Sequence, residues 1–341
     1  VDTRRMSHGV IRKNGIYKYL SKGRHSSHFN YFAANDSCPA ILEALKADET
    51  NPVTLFTKES YAEGQRGILL DKLSLEGVMV LPEEITRDVV ILIPGIMGST
   101  LARNRENQWV DMRKMHNGGI TKNLNISADN VEANGVIKKY YNDLANHLLE
   151  QYDVITLAFD WRKSLKEAAL KLKQQLDEII EKYKVNINIV AHSMGGLVVR
   201  QCMMDHSATW DLFKKNNSNK FIMLGTPWLG SYLIMEVLTG HSGRVKQLAA
   251  IDFENDRSDL LRVFWKFPGI FELLPIEKET DNAFWDSTFW EDLDAKANLK
   301  HMPKPSTNEK SLKGFSNYRT RVQTFLDNLN DGDFNNVFYI C

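Results

Sequence analysis

The stretch Asn186–Met204, NINIVAHSMGGLVVRQCMM, decides how the whole chain is read. Ile187 to Ala191 is an apolar run of the kind that forms a buried strand. It stops at His192-Ser193-Met194-Gly195-Gly196, and a helical pattern of Leu197, Val198, Cys202 and Met203 follows at once. A strand, a sharp turn around a serine and a helix lift the Ser193 hydroxyl clear of a sheet. Only small residues fit around so tight a turn, and Ala191 and Gly195 supply them. The same turn aims the N-terminal end of the next helix at the serine. The unpaired N–H groups and partial positive charge of that end suit a developing oxyanion. A Gly-rich turn with an incidental serine has the same local sequence, so the surroundings decide.

Upstream, Val89–Ile93 is an unbroken apolar run, the mark of a strand buried on both faces. It enters Pro94-Gly95-Ile96-Met97-Gly98-Ser99-Thr100, a loop delivered to the carboxyl edge of the sheet, where ligands bind. A loop in this position supplies one oxyanion N–H and the residue after the nucleophile supplies the other, so Ile96 and Met194 are the expected donors. Glycines in a merely tight turn would look alike, so this assignment depends on Ser193. Trp109–Met115 and Gly118-Gly119 are loop-like. Val136–Gln151 reads as a helix, with Val136, Tyr140, Leu144 and Leu148 on one face. Asp153–Phe159 is a second buried strand, followed by Asp160-Trp161-Arg162. Ser164 and Glu167 have the spacing of a capping box, opening an amphipathic helix to about Lys184. Lys220–Leu224 is the next buried strand and runs into Gly225-Thr226-Pro227-Trp228-Leu229-Gly230-Ser231. Buried strands alternating with helices predict a mainly parallel sheet covered on both faces.

Residues 231–335 break that rhythm. They read as helical and aromatic, with Phe264, Trp265, Phe267, Phe271, Phe284, Trp285, Phe289 and Trp290. An insertion of this kind is expected to cap the site, and its apolar content fits a lipid-facing lid. A helical subdomain that buries its own aromatics is the alternative. Asn336–Cys341 reads as one more strand. In residues 1–86, Asn14-Gly15 marks a hairpin over Val10–Leu20, Ser37 is placed to cap a helix through Ala47 with Pro39 in its first turn, and Val53–Phe56 and Gly77–Leu81 are short strand candidates. That segment carries no chemical motif and is expected to give edge strands to the sheet or form a small module. The hydrolytic domain is then 87–341, with the cap at about 231–335.

Lys plus Arg and Asp plus Glu both number 43, so the net charge is zero. That argues against a nucleic-acid partner, which calls for basic excess. The three cysteines, Cys38, Cys202 and Cys341, show no metal-ligand spacing and make a poor disulfide framework. No apolar run spans a bilayer and no signal peptide is visible. These features lean towards a cytoplasmic location. The chain opens at Val1 rather than Met, which suggests a piece of a longer protein.

Together the motifs resemble the lecithin–cholesterol acyltransferase family of α/β-hydrolases and, more distantly, bacterial lipases. The residues that carry the likeness are Pro94–Leu101, Asp160–Arg162, Ala191–Gly196, Gly225–Ser231 and Phe271–Pro275, in that order. The resemblance implies Ser193 as nucleophile, Ile96 and Met194 as oxyanion donors, and Trp228 and Met97 as substrate-binding residues, Trp228 being a wall of an acyl pocket. It implies Asp160 and Arg162 as a structural ion pair. It also implies a lipid or other acyl-ester substrate, with the acyl group passed to water or an alcohol, and contact with a lipid surface. Such acyl transfer needs no cofactor or metal.

A serine needs a base, and the base needs a carboxylate to fix its tautomer. This fold delivers them in the order Ser, Asp, His. The acid follows the strand after the cap, which here is the last stretch of the sequence, so the expectation is that Asp and His lie beyond Cys341 and the hydrolase domain is truncated at its C-terminal end. His192 is expected to point away from the serine and His206 to end the helix behind it. His241 and His301 are the internal candidates for a base, with surface roles as the plainer reading. Asp252 and Asp256 are expected to be solvated cap residues. Two other readings stand beside the enzyme: a hydrolase-fold module that only binds lipid or protein, and a hydrolase of small soluble esters.

Overall fold

The computed structural model describes residues 17–19, 37–46, 57–58, 85–276, 283–329 and 336–340. The expected turn at Asn14-Gly15 and the strand candidates 53–56 and 77–81 lie outside the described residues.

The centre of the fold is a seven-stranded sheet. Its strands are β1 (Tyr17–Tyr19), β2 (Thr57–Lys58), β3 (Val89–Ile93), β7 (Asp153–Thr156), β8 (Ile187–His192), β9 (Lys220–Leu224) and β10 (Val337–Ile340). They lie in the order β2-β1-β10-β9-β8-β3-β7. All neighbouring pairs are parallel except β1 with β2. Every residue of β3 and β8 is buried, as the unbroken apolar sequence of β3 requires, and in β8 the polar Asn188 and His192 are buried with the rest. Alternate residues feed two cores. Val89, Ile91 and Ile93 face one with Ile189 and Ala191, while Val90, Leu92 and Val190 face the other. The helix Leu165–Lys182 buries Leu165, Ala168, Ala169, Leu172, Leu176 and Ile179 on the first face. The helices Ser37–Lys46 and Lys138–Leu149 cover the second through Ile41, Leu45, Tyr141, Leu144 and Leu148.

A small antiparallel sheet, absent from the sequence-based reading, follows the first buried strand. It is made of β4 (Ser99–Arg103), β5 (Glu106–Trp109) and β6 (Val131–Val136), in the order β5-β4-β6. Ser99 and Thr100, expected in a loop, are therefore the start of a strand. The stretch expected to be loop-like after Trp109 contains the short helix Met112–Met115 and the π-helical turn Gly119–Asn123. The strand elements are short and polar, with alternation too brief to register as a period.

The expected capping box at Ser164 does not form. Ser164 does cap the helix, accepting from the Lys166 N–H, but Glu167 pairs with Lys163 on the surface. The carboxylate that completes the cap comes from the cap region instead. Glu272 accepts from the Ser164 hydroxyl and the Leu165 N–H, both at 2.6 Å.

The described part of the cap region is helical, without a strand: Leu233–Leu238, Gly243–Ile251, Arg257–Phe264, Pro268–Phe271, Ser287–Ala297 and Glu309–Asp327. Six of its eight named aromatics face inward, Trp285 and Phe289 are partly buried against them, and Phe253 is exposed. Phe264, Trp265, Phe267, Phe271, Phe284 and Trp290 are buried in the same core as one face of the sheet. Trp265 meets Trp290 edge-on at 5.0 Å and Phe271 at 5.6 Å. The lid expectation is corrected on this point: the aromatic stripe is core, packed where each ring loses the most water contact. Asp252 is likewise buried rather than solvated, and accepts from the Glu254 and Asn255 N–H groups to hold a turn. Asp256 caps the helix Arg257–Phe264 in a reciprocal box with Asp259. No helix among the described residues is long and apolar enough to cross a membrane.

Candidate active site

Ser193 stands between β8 and the helix Met194–Asp205 with φ +53° and ψ −120°. A side chain in this region of backbone space costs on the order of 1–3 kcal/mol, which the surrounding structure must hold in place. Three contacts do so. The Ser193 N–H donates to the Leu224 carbonyl at the end of β9, at 2.8 Å. A Cβ on Gly195 would lie 2.7 Å from the carbonyl oxygens of Ile93 and Pro94. A Cβ on Gly196 would run into the Thr226 side chain. Both glycines are therefore needed for close approach, and the elbow is wedged between β3 and β9.

The loop Pro94–Gly98 lies directly against the serine. A Cβ on Gly95 would come within 3.0 Å of both Ser193 Cβ and His192 Nδ1. The Gly98 N–H donates to the Gly95 carbonyl at 3.0 Å, closing a four-residue turn with Met97 at φ +59°. A positive φ at the third position of a turn is a type II feature that favours glycine; here a methionine bears it. Trp109 Nε1 donates to the Met97 carbonyl at 3.0 Å and the Ile137 N–H to the Gly98 carbonyl at 2.9 Å. Ile96 and Met97 are partly buried against the core. Met194 is the first residue of the elbow helix, so its N–H has no acceptor within that helix.

The quoted motifs lie along a line of contacts through this elbow, with Asp160–Arg162 joined to it through Gly269. Gly95 touches Ser193, and Gly196 abuts Thr226. Ser231 N–H donates to the Leu273 carbonyl at 2.8 Å, and Gly230 (φ +92°) packs on the Leu274 carbonyl. Gly269 N–H reaches the Arg162 carbonyl at 3.2 Å, and a Cβ on Gly269 would lie 3.0 Å from Met194 Cε. Arg162 is buried. It grips Asp160 with two bonds of 2.8 and 2.6 Å and donates to the carbonyls of Leu124 and Asn125, tying the small-sheet region to the end of β7.

Trp228 is fully buried, with the Arg200 guanidinium 5.6 Å from its ring centre. Arg200 also donates to the Trp228 carbonyl and to the Tyr318 hydroxyl. His192 turns away from Ser193 and places Nδ1 2.9 Å from the Tyr141 hydroxyl. His206 ends the elbow helix, His241 is exposed with Nδ1 3.2 Å from Thr239 Oγ1, and His301 lies 3.0 Å from Ser258 Oγ. Cys202, behind the elbow, is buried, and burial pushes its thiol up to about 12. Among the described residues no group of three or more His, Cys, Asp or Glu is placed to hold a metal.

Three residues of this region carried no role in the sequence reading. Glu272 was visible as the lone acid between Ile270 and Pro275, and Arg200 as the one basic residue in the elbow helix Met194–Asp205. Either isolation is a signal, because an unpaired charge does not stay buried. Tyr141 gave no such signal.

A parallel sheet carrying a serine elbow, with a glycine loop against it from the first buried strand, defines an α/β-hydrolase. Within that class, the lecithin:cholesterol acyltransferase family model matches residues 99–336, well over half of the chain, and the chain belongs to this family. The lysosomal phospholipase A and acyltransferase of Mus musculus is 25% identical over 120 residues, 34% of this chain and 28% of that protein. The phosphatidylcholine-sterol acyltransferase of Gallus gallus is 26% identical over 131 residues, 37% of this chain and 31% of that protein. The matched stretches thus span less than a third of these relatives' length. Among solved structures, the Tle4–Tli4 complex aligns with a TM-score of 0.47 at 15% identity, covering 71% of this chain and 73% of that one.

Proposed function

We propose that this chain is the nucleophile-bearing part of a serine-dependent lipid acyl hydrolase or acyltransferase. The observation that carries the reading is the elbow itself: Ser193 at φ +53°, at a helix N-terminus, with the Gly95 loop packed against its Cβ. In the reaction, a base takes the Ser193 proton as Oγ attacks the acyl carbon. The carbonyl oxygen gains the negative charge and is met by the N–H groups of Ile96 and Met194. Collapse expels the leaving alcohol, which takes the proton back from the base. Water or a second alcohol then attacks the acyl-serine by the same steps in reverse. Met97, in the oxyanion loop next to Ile96, is the residue set against the acyl group. Trp228 supports the acyl pocket from behind, since its ring is buried against Arg200. Family membership supports a lipid ester as substrate and contact with a lipid surface. In the chain order of the fold the Asp and the base His both follow Ser193, and neither is assigned to a residue of 1–341.

Fluorophosphonate labelling followed by mass spectrometry tests this. The longer protein is expected to be labelled at Ser193, and Ser193→Ala is expected to lower its ester turnover by about 10⁶-fold. The 1–341 chain alone is expected to label only slowly. Full ester turnover by Ser193→Ala would overturn the reading. Rapid labelling of the 1–341 chain would place the base within these residues and make His241 and His301 the next substitutions. The ratio of free fatty acid to acylated alcohol then separates hydrolase from acyltransferase.

A further inference from the structure

At its Gly95 end the oxyanion loop is held from outside the site by a buried hydroxyl. Tyr141, on the helix Lys138–Leu149, is buried on the face of the sheet away from the cap. Its hydroxyl oxygen accepts from the Gly95 N–H at 2.8 Å and lies 2.9 Å from His192 Nδ1. The two rings meet edge-on, their centres 5.9 Å apart. The same oxygen fills the space beside Gly98, where a Cβ would come within 2.7 Å of it. One atom therefore touches both halves of the candidate site: the loop bearing Ile96 and the residue preceding the nucleophile.

The consequence follows from peptide geometry. The Gly95 carbonyl is committed to the Gly98 N–H at 3.0 Å, and the Gly95 N–H is committed to Tyr141. With both polar groups of Gly95 fixed, the direction of the next peptide is fixed too. In a trans peptide the Ile96 N–H points opposite to the Gly95 carbonyl, so it is turned out of the four-residue turn. Burial pushes the Tyr141 hydroxyl well above the usual tyrosine range. It stays neutral, and the tautomer of the His192 imidazole sets which of the two donates in the bond between them. A lone buried N–H would otherwise cost about 1–3 kcal/mol.

We propose that Tyr141, with His192 as its hydrogen-bond partner, is a positioning residue for the oxyanion hole: it sets the aim of the Ile96 N–H without touching substrate. This rests on the reading of Ser193 as nucleophile. The test uses the longer protein with p-nitrophenyl butyrate. Tyr141→Phe keeps the ring and removes only the hydroxyl, so kcat is expected to fall roughly 10- to 100-fold, below the 10²- to 10³-fold typical of deleting a donor outright. KM is expected to stay within about two-fold, because the interaction matters only once charge develops on the carbonyl oxygen. His192→Leu, which keeps the Tyr141 hydroxyl for the Gly95 bond but removes the partner that orients it, is expected to give a smaller fall in kcat of roughly 3- to 10-fold, again at constant KM. Each variant is measured well below its own melting temperature, so that unfolded protein does not enter the rate.

A raised KM at unchanged kcat in Tyr141→Phe, or unchanged kinetics in both variants, overturns the proposal. If Tyr141→Phe does not fold, His192→Leu decides, and a kcat equal to wild type overturns it. Full turnover by Ser193→Ala would instead overturn the nucleophile assignment beneath it.

Discussion

The parallel sheet and the cap both carry apolar and aromatic stretches, yet they reach their cores in different ways. In the sheet, burial follows the chain. β3 and β8 are buried residue by residue because each backbone pairs with a neighbour on both sides. In the cap, burial follows assembly. Trp265 is buried because Trp290, Phe271 and the Leu238 carbonyl, which accepts its Nε1–H at 2.8 Å, converge on it from separate segments. A run of apolar residues therefore predicts burial when it also predicts the partner, as a parallel strand does. An aromatic helix names no partner, so it reads as well for a lipid surface as for a core.

Trp265→Ala is the sharpest way to break that comparison. If the aromatic stripe is core, the substitution is expected to lower unfolding free energy by about 3–5 kcal/mol, the cost of removing a buried large aromatic, measured by urea denaturation. A stripe that met lipid would show little change in stability and a loss of binding to phosphatidylcholine vesicles.

The same contrast explains what was legible in the sequence. The elbow was, because the apolar run ending at Ala191, the serine and the paired glycines Gly195 and Gly196 all report local geometry. The buried strands were, for the same reason. The antiparallel sheet of β4, β5 and β6 was not: its strands, STLAR, ENQW and VEANGV, are short and polar. Ser164 caps the helix Leu165–Lys182 as its sequence implies, but the capping box was read wrongly: Glu167 sits at the right spacing, while Glu272, 107 residues from Leu165, takes the Leu165 N–H and the Ser164 hydroxyl. Spacing carries information about bonds within an element and almost none about bonds between elements. Tyr141 belongs with Glu272 in this respect. In the pattern of its helix it is one more aromatic, and only the fold brings its hydroxyl to Gly95.

Glu272 tests whether the joint between cap and sheet is neutral or charged. Burial pushes its carboxyl up to about 7 from an ordinary 4.5, against the opposing pull of the Leu165 N–H, the Ser164 hydroxyl, Lys166 and Arg200; the carboxyl also lies near Tyr318. The folded state then holds this proton more tightly than the unfolded chain does. Its contribution to stability is fully present below about 4.5 and is lost as pH rises towards 7. Glu272→Gln has no proton to lose. The stability difference between wild type and Glu272→Gln, from urea midpoints at several pH values, is expected to move against wild type across that window and to flatten above it. A difference independent of pH would mean the carboxylate is ionised in the fold throughout, held by Arg200, Lys166 and the helix N-terminus.

The smallest effect is expected where the cap meets water. Gly314 lies inside the helix Glu309–Asp327, is exposed, and a Cβ there would meet nothing within 4 Å. Gly314→Ala therefore adds no contact and removes only the freedom of the unfolded chain, a gain of about 0.5–1 kcal/mol. At Gly269 the same methyl would lie 2.3 Å from the Trp161 carbonyl, so Gly269→Ala must displace backbone beside the elbow. The two substitutions have the same chemistry and the same intrinsic preference for helix, and differ only in what surrounds them. Equal shifts in urea midpoint would show that propensity governs this part of the fold. A gain at Gly314 with a loss at Gly269 would show that the joint between cap and sheet is packed as tightly as the sheet itself.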